Sequence, residues 1–206
     1  MLGVFLEYKH PVGLITKNAL ILRDLDLLSE LSSMNLVHVN LTLNTLDEHI
    51  KRAVEPRTSS VKSILKTIEK LAENKIPIRV MAAPIIPGIN DSHIMKLVET
   101  VASAGADDIV YEVVRLNGHL GELFTDWIYK TFPDRAEKVL NQIKSLHGGT
   151  LNNSDYGLRM RGEGPLADLI KQQFTVAKQK YLPNKSLPEF NFDLFVKKSE
   201  NQFSLF

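Results

Sequence analysis

Between residues 36 and 57 the chain reads LVHVNLTLNTLDEHIKRAVEPR. Val37, Val39, Leu41 and Leu43 alternate with His38, Asn40, Thr42 and Asn44, which predicts a strand with one apolar and one polar face. Three further apolar stretches complete a set of four predicted strands, near 12–16, 37–43, 77–83 and 109–115. Between them lie stripes at helical spacing. One carries Leu25, Leu28 and Leu31; a second carries Val61, Ile64, Ile68 and Leu71; a third carries Ile94, Leu97, Val98 and Val101. Three strand–helix units in a row predict an α/β fold with a parallel sheet and crossover helices.

The pattern changes after the fourth strand. Two amphipathic stretches, 120–132 and 136–146, are split by Pro133. The glycine-rich RMRGEGP follows at 159–165, and Pro165 suits the first turn of a helix whose apolar face holds Leu166, Ile170, Phe174, Ala177 and Tyr181. The chain thus divides into a barrel-like part, 1–118, a helical extension, 119–182, and a polar tail, 183–206, expected to be mobile. RMRGEGP is open to two readings, a turn that joins helices or an anion contact through Arg159 and Arg161.

Strands of parallel sheets are usually covered on both faces and apolar throughout. The polar face at 38–44 therefore implies either a polar cavity or a solvated edge. Ligands of such sheets sit at the carboxyl ends of the strands. Those ends carry Thr16, Lys17 and Asn18, then Asn40 and Thr42, then Arg52, Glu55 and Arg57, and finally Arg115. Alcohols, amides and a carboxylate suit a ribose and an amino acid headgroup, and arginines suit a carboxylate or phosphate. Composition narrows the chemistry. Cysteine is absent, which excludes disulfides, thiolate metal sites and a cysteine nucleophile. The six histidines show no zinc-motif spacing, and no dinucleotide fingerprint, P-loop or GxSxG elbow is present. A net charge of +1 gives no bulk attraction to nucleic acid. No apolar run is long enough to span a membrane, and a cytoplasmic location is expected.

Several motifs, in order, resemble radical S-adenosylmethionine proteins of the spore photoproduct lyase-like group. They are ITKNALILRDLDLL, the EPR triplet after the polar-faced strand, PIIPGIND, FPDRAEKVL and YGLRMRGEGP. The resemblance implies the later part of a partial (β/α), TIM-like barrel with C-terminal helices. It implies S-adenosylmethionine and a [4Fe-4S] cluster as cofactors, and a lyase-like reaction in DNA or nucleotide repair. It places Thr16, Lys17, Asn18, Asn40, Thr42, Arg52, Glu55, Arg57 and Arg115 near the cofactor. The family's CxxxCxxC cluster loop is missing. By the resemblance the chain starts after the first two barrel strands, so it is not expected to be catalytic alone. A barrel lyase that needs no cluster and a nucleic-acid or protein interaction module are the alternatives.

The last five residues also resemble a known peptide, the one by which bacterial replication and repair proteins dock on the sliding clamp. Gln202 would make directed hydrogen bonds, Leu205 and Phe206 would fill an apolar pocket, and Phe203 replaces the usual aliphatic residue. Clamp docking would put the protein at DNA. The competing expectation is a tail that buries these rings on its own domain.

Overall fold

The computed structural model describes residues 1–196. Residues Gln202, Phe203, Leu205 and Phe206 lie outside the described residues. Four parallel strands form one sheet in the order β1 (Val12–Thr16), β2 (Val37–Thr42), β3 (Ile78–Ile85) and β4 (Asp108–Val113). Chain order equals spatial order, as in the wall of a partial barrel. The register pairs Ile15 with Asn40, Asn40 with Arg79, and Arg79 with Asp108. Facing residues in such a ladder share one side of the sheet. One side is therefore Gly13 and Ile15, His38, Asn40 and Thr42, Arg79 and Met81, then Asp108, Val110 and Glu112.

The other side is apolar and is covered over β2, β3 and β4, with Val12 and Leu14 of β1 partly buried. Val37, Val39, Leu41, Ile78, Val80, Ala82, Ile109 and Val113 are buried there. They pack in one cluster with residues of α2 (Leu25–Ser33), α4 (Val61–Glu73), α5 (Ile94–Ser103) and α8 (Gly164–Tyr181). The leucine and isoleucine stripes of those helices lie on this layer. Ser60 caps α4, its side chain accepting from the Ser63 amide at 3.2 Å. Gly105 ends the turn after α5 at φ +108, and a Cβ there would stand 2.6 Å from the Ala72 Cβ.

A second cluster sits over the carboxyl ends of β3 and β4. There α6 (Leu120–Thr131) and α7 (Ala136–Leu146) bury Ile128, Val139, Leu140 and Ile143 against Ile86, Ile89, Val114 and Leu116. The two sheet edges differ from each other. The β4 edge is capped by the RMRGEGP loop, whose Met160 carbonyl accepts from the Val113 amide at 3.0 Å. The β1 edge pairs with no strand among the described residues, and Ile15 beside it is 68% exposed.

Two sequence expectations change. A helix absent from the sequence reading, α3 (Glu48–Val54), follows β2; Asp47 starts it by accepting from the His49 and Ile50 amides at 2.7 and 3.0 Å. These amide donors, Ile50 first, hold the Asp47 carboxyl below its usual range. The segment after α8, expected as a mobile tail, is laid across the base of the sheet over 184–196. The Asn191 amide donates to the Asn35 carbonyl and the Val196 amide to the Tyr8 carbonyl, both at 3.0 Å. The Phe190 ring stacks on His38 with centroids 3.9 Å apart. Phe190 is the ring that anchors this strap to the sheet, while Phe192 and Phe195 stay exposed.

Two outcomes follow from this architecture. Gly105→Ala is expected to cost about 1–3 kcal/mol in urea unfolding, because the positive φ and the Ala72 contact both oppose a Cβ. Burial foremost, and also the Arg79 cation, hold the His38 imidazole below its ordinary 6.5, while the Pro188 carbonyl acts the other way. The unfolded chain then binds more protons near pH 6, so stability is retained above the unfolded value and falls as pH drops below it. Unfolding at about pH 7.5 and about pH 5.5 checks this: wild type should lose more stability than His38→Gln.

Candidate functional site

The carboxyl end of β1 is tied to the loop after α3 by short side chains. Thr16 accepts from the Asn18 amide at 3.1 Å, and Asn18 caps the following 3-10 turn by accepting from Leu20 at 2.9 Å. Ser59 donates its hydroxyl to Asn18 at 3.3 Å and accepts from the Ala19 amide at 2.9 Å. The Ser59 amide donates to the Lys17 carbonyl at 3.2 Å. Thr16, Lys17 and Asn18 thus meet the EPR loop, as convergence of strand ends requires.

Glu55 is the centre of this junction. One carboxylate oxygen accepts from Lys17 and the other from Lys51. Lys51, four residues earlier on α3, is only 1% exposed and was not singled out from the sequence. An i,i+4 Lys–Glu pair looks like any solvated helix face until the helix is docked. Burial of the lysine makes Glu55 its sole ion-pair partner among the described residues. Lys17 is the accessible member, its side chain 43% exposed.

The polar face provides the floor. Asn40 donates to the Leu14 carbonyl at 3.0 Å across the β1–β2 step. Thr42 is 3% exposed. Asn90, from the PIIPGIND motif, locks the loops after β2 and β3. Its carbonyl accepts from the Ile86 amide at 2.7 Å, and its amide donates to Asn44 and Pro84 carbonyls at 3.0 Å each. Arg115 is half-buried past β4, and its Nε is buried with no hydrogen-bond partner. Arg52 and Arg57 are exposed and make no ion pair among the described residues, so they are not drawn into the junction.

A cavity of about 410 Å³ lies on this face, lined by Gly13, Asn40, Arg79, Met81, Glu112 and Arg161, among others. Glu112 makes no hydrogen bond or ion pair among the described residues, and it was missed from the sequence. Its only signal there was its parity with Val110 on β4. The cavity offers a free carboxylate, an amide and two guanidinium groups, a set suited to a ligand bearing both charges.

A parallel sheet in chain order, a polar inner face and strand-end polar residues are the geometry of a (β/α) barrel wall. Residues 5–101 match the Radical SAM superfamily. The match spans β1 to β3 and most of α5, and includes Thr16, Lys17, Asn18, Asn40, Thr42 and Glu55; Arg115 lies beyond it. An uncharacterized protein of Mycobacterium tuberculosis is 28% identical over 140 residues, 67% of this chain and 41% of that protein. One of Methanocaldococcus jannaschii is 31% identical over 137 residues, 66% and 50% respectively. The FeMo cofactor biosynthesis protein NifB of Chlorobaculum tepidum is 25% identical over 169 residues, 75% of this chain and 38% of NifB. The chain spans half or less of the length of these relatives.

The radical SAM superfamily implies S-adenosylmethionine and a [4Fe-4S] cluster. The cluster does not fit this chain, which has no cysteine. Among the described residues no group of histidine and carboxylate side chains replaces the thiolates. The organic cofactor is a different case, since the Glu112 carboxylate lines the polar cavity with no hydrogen bond or ion pair among the described residues, and a polar ligand would satisfy it. No helix among the described residues is long and apolar enough to cross a membrane.

The Glu55 junction can be tested directly. Glu55→Ala leaves Lys51 charged and buried without a counterion, which is expected to cost about 3–5 kcal/mol in chemical unfolding. Adding Lys51→Met should recover most of that loss, since the buried charge goes with it.

Proposed function

We propose that this chain is the later part of a radical S-adenosylmethionine barrel, holding the organic part of the cofactor while the cluster ligands come from residues outside these 206. The observation that carries the reading is a polar inner face within a segment that matches the superfamily, in a chain with no cysteine. In this reading Asn40 and Thr42 form the floor beneath the ribose and methionine parts. Lys17, fixed by Glu55, and Arg115 supply cationic donors at the rim. Glu112 is the acceptor for a cationic group. The cluster, supplied elsewhere, is what cleaves S-adenosylmethionine in the family.

The finer assignment, to the spore photoproduct lyase-like group acting in DNA or nucleotide repair, rests on the motif resemblance from ITKNALILRDLDLL to YGLRMRGEGP. Sliding-clamp docking through Gln202, Phe203, Leu205 and Phe206 belongs to the same proposal and would bring the protein to DNA. Leu205→Ala with Phe206→Ala would abolish capture of a 197–206 peptide by purified clamp.

The 206-residue chain should bind S-adenosylmethionine weakly, because the cluster anchors the ligand's amino and carboxylate groups in the family. Calorimetry is the measurement, and micromolar affinity of the chain alone would sink the split-site reading. In an anaerobically purified polypeptide that also carries a cysteine triplet, Thr42→Val or Glu112→Gln should lower S-adenosylmethionine cleavage about 10-fold or more, the equivalent of one lost buried hydrogen bond. Unchanged cleavage would remove both residues from the site.

A further inference from the structure

A second and larger cavity, about 550 Å³, lies outside the barrel face, between the RMRGEGP loop, the β4 edge and α8. Nothing in the proposed function uses it. Its walls carry three cations, Arg161 from the loop and Lys171 and Lys178 from α8. Lys171 and Lys178 are two helical turns apart, so they project from one stripe of α8.

The three cations are not equivalent. Lys178 is spent on Asp108, to which it donates at 2.6 Å, and Asp108 also accepts from Arg79 at 2.9 Å. Lys171 has no carboxylate partner among the described residues. Arg161 has none either. Its Nη1 donates to the Tyr111 carbonyl at 2.9 Å, and its guanidinium lies over the Tyr111 ring at 4.4 Å. The opposite face of that ring is occupied by Phe174, stacked with centroids 4.4 Å apart. Arg161 is therefore held in place by a neutral carbonyl and an aromatic face, and neither cancels its charge. Its Nε and Nη2 make no hydrogen bond among the described residues. Gly162 keeps the loop in this shape at φ +72, where a Cβ would stand 3.2 Å from the Leu146 carbonyl.

An arginine in the wall of a cavity, anchored by one nitrogen while the other two make no hydrogen bond among the described residues, is pre-organised for two-pronged binding of an oxyanion. Lys171 supplies a second uncompensated cation at the same cavity. Asp168 is the one lining carboxylate without a cation of its own among the described residues. A dianion matches two free cations better than a monoanion does, and the volume exceeds that of a bare ion. We propose that this cavity is a binding site for the phosphoryl group of a small phosphorylated molecule, gripped by Arg161 and Lys171. Arg161 also lines the 410 Å³ cavity on the inner face, as do Tyr111 and Val110. The bound phosphoryl group would thus sit beside the entrance to the inner face from the β4 side.

The proposal does not rest on the radical S-adenosylmethionine reading and can be tested without cluster or cofactor. The full chain is titrated with ribose 5-phosphate, inorganic phosphate, ribose and acetate, followed by calorimetry or amide chemical shifts. Saturable binding of ribose 5-phosphate is expected, with shifts centred on the loop and α8, and no binding of ribose. Binding of inorganic phosphate with equal affinity assigns the site to the free anion; weaker binding assigns it to the ester. Lys171→Ala, at an exposed position that supports no packing, should weaken binding about 10-fold, and Lys171→Glu should abolish it. Arg161→Lys should also weaken it, because the two-pronged grip is lost. The idea is overturned by no saturable response at about 10 mM ligand, by equal binding of acetate, or by full affinity in both Lys171 variants.

Discussion

Everything in this fold depends on the two unlike faces of one parallel sheet. The helices α2, α4, α5 and α8 press on Val39, Leu41, Val80 and their neighbours, and that packing drives the structure through burial of apolar area. Alternation then leaves Asn40, Thr42, Arg79 and Glu112 no place except the other side. A slip of one residue would exchange the faces, so the core that stabilises the sheet also fixes where its chemistry can be. The polar cavity is a consequence of that register.

Charge is handled differently at the two ends of the strands. At the carboxyl ends, Glu55 takes up Lys17 and Lys51, and a buried cation becomes tolerable because its counterion is itself held by the turn around Thr58 and Ser59. At the amino end, Asp108 gathers Arg79 and Lys178 and so ties α8 to the sheet. Arg161 and Lys171 remain outside both arrangements, with unneutralised charge. The same contrast separates Asn90, whose amide is fully used, from Arg115, whose Nε is not. Satisfied groups hold loops, whereas the Arg115 Nε is buried past β4 without a partner.

The loop 155–163 shows how one segment can be structural and chemical together. Its Met160 carbonyl covers a β4 amide that would otherwise be an open edge. By doing so it brings Arg161 to the border of two cavities. Neither reading of RMRGEGP from the sequence, joining turn or anion contact, anticipated edge pairing. The adjoining segment, 5–101, matches the Radical SAM superfamily, and the relatives at 25–31% identity align with 66–75% of this chain.

Local pattern alone determined the strands, most of the helices and the polar face, because periods of two and of about 3.6 are visible without any partner. It also determined that no thiolate cluster can be built from this chain, since that needs only the absence of cysteine. Tertiary structure alone decided which polar residues are neighbours. Lys51 became a buried partner of Glu55 only when α3 docked, and Glu112 became a free carboxylate only when β4 took its register. Arg161 reached Tyr111 across 50 residues of chain. Phe190 found His38 across a longer interval, turning a polar stretch into a strap. Sequence carries the spacing of each element's own faces. The distances between elements exist only after the apolar layer has brought them together.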